Sequence, residues 1–69
     1  MPTVTVNGIQ HDLPAEATVA DAVRAAGAPE DGRGVAVALG GEVVPRGRWD
    51  RRRLSEGEQV EVLHAVQGG

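Results

Sequence analysis

An α+β fold, with one helix packed across a mixed sheet of four to five strands in the order ββαβ(β)β, is predicted by three observations. Stretches that alternate polar and apolar residues stand near both ends of the chain, at Thr3-Val4-Thr5-Val6 and Gln59-Val60-Glu61-Val62. Between them, Val19, Ala22, Val23 and Ala26 follow the i, i+3, i+4, i+7 spacing of one helical face. The third observation is size: 69 residues, 41% hydrophobic with a single tryptophan as the only aromatic, make one domain whose core must be Val, Leu, Ile and Ala. Such a core suits a thin sheet covered by one helix.

The first strand, Thr3 to Val6, runs into Asn7-Gly8, a strong hairpin signal because both residues tolerate positive φ. Ile9 to Leu13 should return antiparallel. A two-residue loop sets Val6 opposite Ile9 and Val4 opposite His11, which puts Val4, Val6, Ile9 and Leu13 on one buried face with His11 at its rim. Pro14 closes the hairpin. Thr18, three residues before Asp21, reads as the N-cap of a capping box, and the helix is expected over Val19 to Ala26. Gly27 can take the left-handed conformation after the last turn, and Pro29 blocks continuation.

After the polar connector 30–34, Val35-Ala36-Val37-Ala38-Leu39 is apolar throughout, which predicts a central strand buried on both faces. Gly40-Gly41 turns the chain into a short strand, Glu42-Val43-Val44, that ends at Pro45, where the ring removes a ladder donor. From Pro45 to Leu54 no period is visible; an irregular turn or short helix with Trp49 and Leu54 as inward anchors is expected. Ser55-Glu56-Gly57-Glu58 is turn-like, and Gln59 to Val66 alternates as the final strand. A last strand that pairs near the middle of the sheet gives a β-grasp arrangement. Residues 1–65 are read as the domain and residues 66–69 as an extended, flexible tail.

Composition excludes several function classes. Cysteine is absent, so no disulfide, thiolate metal site or thiol nucleophile is available. His11 and His64 have no partner at ligand or triad spacing and Ser55 is the sole serine, so both histidines read as edge-of-sheet residues, with no metal site expected. No glycine-rich loop is followed by Lys and Ser or Thr, which argues against nucleotide binding by the chain itself. The start of the chain has no basic stretch followed by an apolar run, and no segment approaches the ~20 apolar residues of a membrane span, so a cytoplasmic protein without membrane contact is expected.

Charge is unevenly placed. Net charge is −3, yet Arg46, Arg48, Arg51, Arg52 and Arg53 share a segment with only one acid, Asp50, which makes that segment about +4 and the remainder about −7. A solvated face, a docking surface for an acidic protein and a nucleic-acid contact are all open readings of this run, the last disfavoured by the acidic remainder. Gly68-Gly69 is the other unusual feature. A free α-carboxylate on two residues without side chains can enter the narrow active site of another enzyme, although a glycine pair can also be a frayed end. Because the pair directly follows a strand, Val66 to Gly69 would be an arm offered from a fixed place, reaching ~13 Å.

Val6-Asn7-Gly8, Thr18-Val19 with Asp21, Ala36-Val37-Ala38-Leu39, Val43-Val44-Pro45-Arg46 with Trp49, Gly57-Glu58-Gln59-Val60-Glu61-Val62 and Val66-Gln67-Gly68-Gly69 stand in one order along nearly the whole chain. That order resembles the ubiquitin-like sulfur carrier family, and within it the thiamine-biosynthesis sulfur carriers of the ThiS type. The resemblance implies a ubiquitin-like β-grasp fold and a protein that is a substrate, not an enzyme. It implies that a ubiquitin-activating-type adenylyltransferase uses ATP to adenylate the Gly69 carboxylate. A cysteine desulfurase or other persulfide donor then supplies sulfur for a C-terminal thiocarboxylate, and thiazole synthase accepts it.

Gly69 would be the reacting residue and Gly68 the one that clears the entrance. No bound cofactor is implied. If Val60 and Val62 face the core, Leu63 and Ala65 face outward, so partners are expected to read Leu63, Ala65, Val66, Gln67 and Gly68, with Arg46 beside them. The absence of lysine and the arginine-rich segment depart from the usual pattern of such carriers. They leave the pathway open, with molybdopterin, cysteine or thiosugar synthesis as alternatives; a protein modifier is a further alternative, which the lack of lysine disfavours because the chain could not be elongated through its own side chains.

Overall fold

The computed structural model describes residues 2–29 and 32–64. Among these, five strands form one sheet: β1 (Thr3–Val6), β2 (Ile9–Asp12), β3 (Val35–Leu39), β4 (Glu42–Val44) and β5 (Gln59–His64), in the spatial order β2-β1-β5-β3-β4. β1 and β5 run parallel at the middle, and the other neighbours are antiparallel. With one helix, α1 (Val19–Ala25), across one face, this is the β-grasp arrangement. Both predicted hairpins turn through consecutive positive-φ residues, Asn7 (50°) and Gly8 (82°), then Gly40 (55°) and Gly41 (90°).

Helix α1 is fixed at both ends. The Thr18 N–H donates to the Asp21 carboxylate at 2.8 Å, one half of the capping box. The otherwise unpaired N–H groups of Val19 and Ala20 donate to the carbonyls of Arg52 (2.9 Å) and Trp49 (3.2 Å), so the segment after β4 is tied to the first turn of the helix. At the other end Gly27 sits at φ 79°, and the N–H groups of Gly27 and Ala28 donate to the carbonyls of Arg24 (3.0 Å) and Val23 (3.2 Å). This is the paired closure of a Schellman motif.

The core lies between α1 and one face of the sheet. Val19, Ala22 and Val23 meet Val4, Val6, Val37, Leu39, Val60 and Val62, while Leu13, Ala17, Trp49 and Leu54 complete the cluster. After β4 the chain makes a single 3-10 turn, Arg46–Arg48, that drops the Trp49 ring into the core. The Trp49 Nε1–H donates to the Val44 carbonyl at 3.0 Å, which satisfies its one polar atom.

Three burial expectations fail for one reason: among the described residues only one face of the sheet is covered, and the cover is a short helix. Ile9 pairs with Val6 as expected but is 64% exposed, because β2 is an edge strand and Ile9 stands beside its turn, beyond the reach of α1. β3 is not buried on both faces; Val37 and Leu39 point inward while Ala36 is exposed and Ala38 half-buried. β5, not β3, holds the middle position. Ala26 caps the helix and is exposed, so the buried stripe ends at Val23.

Candidate functional site

β5 carries the chain toward its C-terminus, and what holds β5 therefore sets where the last residues begin. On one side β3 pairs with it along its length, with Val35 opposite His64. On the other side β1 stops at Val6, opposite Val60. Beyond that point the Asn7 side chain takes over. Its Nδ2–H donates to the Val62 carbonyl at 3.0 Å, and its Oδ1 accepts from the Val62 N–H at 2.8 Å. The side-chain amide thus substitutes for one more peptide unit of β1 and occupies both backbone groups of Val62. Sequence reading missed this role, because Asn-Gly is fully accounted for as a turn and nothing local signals a partner 55 residues away.

Leu63 points to the open face, as the alternation predicts, and is 69% exposed beside its cross-strand partner Ala36. Exposed Val43 lies on the same open face, opposite Ala38. Arg46 is exposed at the same end of the sheet but on the helix side. Its stem lies over Gly32, where an added Cβ would stand 3.0 Å from Arg46 Nε and 2.9 Å from Trp49 Cζ3. Gly32 in turn accepts the Val35 N–H at 3.1 Å, and Val35 is the residue paired with His64. Leu63 and Arg46 therefore stand at one end of the molecule on opposite faces of the sheet. Ala65, Val66, Gln67, Gly68 and Gly69 lie outside the described residues.

Side chains with reactive groups are scattered. His11 is half-buried opposite Val4, and His64 is exposed. Among the described residues no three His, Asp or Glu side chains are grouped to hold a metal ion. Ion pairs join Arg52 to Glu58 (2.9 Å), Arg53 to Glu16 (3.0 Å) and Arg24 to Asp21. The Thr18 N–H, followed by the Arg24 guanidinium, holds the Asp21 carboxyl below its ordinary range against a partial desolvation that acts the other way. That perturbation belongs to the helix cap, not to a reactive centre. No helix of the described residues is long and apolar enough to cross a membrane. The arrangement braces β5 to His64 and offers no catalytic constellation among the described residues.

The sequence model of the ThiS family matches residues 4–69. Among solved structures, the chain is similar to the thiamine biosynthesis protein ThiS from Geobacter metallireducens, with 29% sequence identity and a TM-score of 0.72. That match covers 97% of this chain and 99% of the other. No curated protein sequence matches the chain.

Proposed function

We propose, from the premise that this chain belongs to the ThiS family, that its chemistry takes place on the α-carboxylate of Gly69. Membership makes the chain a sulfur carrier of thiamine biosynthesis and not an enzyme. The observation that carries the site assignment is the bracing of β5. The strand leading to Gly68-Gly69 is held by β3 on one side and by β1 and Asn7 on the other, up to the edge of the described residues.

In this reading an adenylyltransferase brings ATP to the chain end. The Gly69 carboxylate attacks the α-phosphorus and pyrophosphate leaves, which turns a carboxylate into an acyl carbon with a good leaving group. The terminal sulfur of a persulfide donor, loaded upstream by a cysteine desulfurase, then displaces AMP to give an acyl disulfide, and a second thiol attacks the donor's sulfur, breaking the S–S bond to leave a disulfide on the donor side and the thiocarboxylate on Gly69. Thiazole synthase takes the sulfur from there. Gly68 lets the enzyme close around the chain, Leu63 gives the partners a contact on the open face and Arg46 one on the helix side, and Ala65, Val66 and Gln67 complete the segment that they read. In this reading the chain binds no cofactor of its own and works in the cytoplasm.

Intact mass spectrometry tests the assignment. After incubation with the cognate adenylyltransferase, ATP and a sulfur donor, the chain should gain the mass of one sulfur less one oxygen, and deletion of Gly69 should abolish that change while leaving the fold intact. Covalent attachment to other proteins would instead make the chain a modifier, and retained sulfur loading without Gly69 would refute the proposed site.

A further inference from the structure

We infer that the arginine-rich turn after β4 is a second contact surface for the protein that engages the chain end, and that the facing surface of that protein is rich in carboxylates. The inference rests on the function proposed above for its choice of partner, and on the following observations for its surface. Of the five arginines between residues 46 and 53, two are already committed. Arg52 pairs with Glu58 and donates to the Arg53 carbonyl, and Arg53 pairs with Glu16. Arg46, Arg48 and Arg51 are exposed and make no ion pair among the described residues.

These three are not spread at random. Arg48 and Arg51, with Arg52, line an open concavity of about 270 Å³. Arg48 also borders the groove beside the edge strand β4, with Val43 and Pro45. Arg46, in the same 3-10 turn as Arg48, lies against Gly32, next to the end of the sheet where Val35 pairs with His64. A guanidinium presents a rigid fork of donors that matches a carboxylate in two places at once. Several of them around one concavity select an acidic side-chain cluster over a single ion.

The rest of the chain decides between classes of partner. Outside residues 46–53 it carries about −7, so a polyanion approaching from most directions is repelled, and only an acidic surface aimed at this one patch gains attraction. Single-stranded nucleic acid is held by stacking its bases on exposed aromatic rings. The only aromatic residue here is Trp49, which is 6% exposed and donates its N–H to Val44. A folded acidic protein surface fits both facts, and the charge asymmetry would orient it so that the chain end meets the partner's active site.

The test measures association of the full chain with the cognate adenylyltransferase by stopped flow across a range of NaCl concentrations. The variant with Arg46→Gln, Arg48→Gln and Arg51→Gln together should associate about tenfold more slowly at low salt, with a flattened salt dependence and an unchanged circular-dichroism spectrum. Arg48→Gln alone should slow association, whereas Arg24→Gln, an equal change of charge on the helix, should not. Wild-type rate and salt slope in the triple variant, equal slowing by Arg24→Gln, or no association of the wild-type chain would each overturn the inference. So would arginine-dependent binding of a thymidine oligonucleotide, or arginine-dependent self-association of the chain, in place of binding to the enzyme. Pyrophosphate release, read separately, reports on the Gly69 chemistry: arginine-dependent association without it supports this surface and removes that chemistry.

Discussion

Replacing Asn7 by glycine isolates the clamp on Val62. Glycine keeps the positive φ of 50° without strain, so the turn survives while both side-chain hydrogen bonds, 2.8 and 3.0 Å, are lost. The Val62 N–H and carbonyl are part-buried there, and leaving such groups unpaired costs about 1–3 kcal/mol. A domain of 69 residues has a total stability of only ~3–10 kcal/mol at ~0.05–0.15 kcal/mol per residue. In a chain this short each kcal/mol lowers Tm by roughly 4–8 °C, so a fall on the order of 10 °C is expected. Asn7→Ala should be worse by about 1–2 kcal/mol, because alanine pays the left-handed penalty as well.

Urea denaturation followed by Trp49 fluorescence gives the stabilities, and amide hydrogen exchange locates the loss. In Asn7→Gly the Val62 amide should lose protection beyond the global change, while Val37 and Leu39, bonded within the β3 ladders, should follow the global change alone. An Asn7→Gly chain as stable as the wild type, or a Val62 amide that keeps its relative protection, would refute the clamp.

Other consequences are simpler to state. Gly32→Ala should destabilise by about 1–3 kcal/mol in thermal denaturation, since its Cβ would meet Trp49 Cζ3 at 2.9 Å and its φ of 71° disfavours a side chain. The Asp21 carboxyl is held below its ordinary range chiefly by the Thr18 N–H, so it contributes stability above the unfolded carboxyl pKa of ~3.9 and loses it as pH falls through the lower folded value. The urea midpoint of the wild type should therefore drop more steeply below pH ~4 than that of Asp21→Asn. Leu63→Asp, on the open face at 69% exposure, should stay folded yet lower the rate of sulfur loading by on the order of tenfold, and loading at the wild-type rate would remove Leu63 from the partner contact.

Where one physical signal dominated, the sequence was easy to read. Asn7-Gly8 and Gly40-Gly41 declare their turns because positive φ at two consecutive residues is costly for almost anything else, and the observed register of β1 and β2 is the one that a two-residue loop requires. Val19, Ala22 and Val23 declared the buried stripe of α1, and Trp49 and Leu54 the anchors of an otherwise patternless segment. β3 misled because Val-Ala-Val-Ala-Leu is continuous in polarity but alternating in size. The large residues Val37 and Leu39 face the core, and the small ones are left on the open face, where alanine costs little. Asn7 and Gly32 were hidden for a different reason: each acts on residues far away in sequence, Asn7 on Val62 and Gly32 beneath Arg46 and Trp49. Only the closed sheet brings those pairs together.

If the reaction takes place on the Gly69 carboxylate as proposed, the bracing of β5 bears on what the partner enzyme must supply. An enzyme that threads residues 65–69 into a narrow site must fix their backbone, and each residue fixed costs roughly 1–2 kcal/mol, glycine the most. Residues already fixed by the fold cost the partner nothing further. Asn7 holds Val62, and Val35 is paired with His64, so the fold carries the order of the chain up to the edge of that segment. If β5 frayed back to Val62, the partner would have to order residues 63 and 64 as well, at about 2–4 kcal/mol of lost affinity. That is more than the ~1 kcal/mol typically separating an anchoring contact from a neutral one. On the proposed function, a hairpin turn at the opposite end of the sequence would thus contribute to partner binding through the length of chain it spares from being ordered.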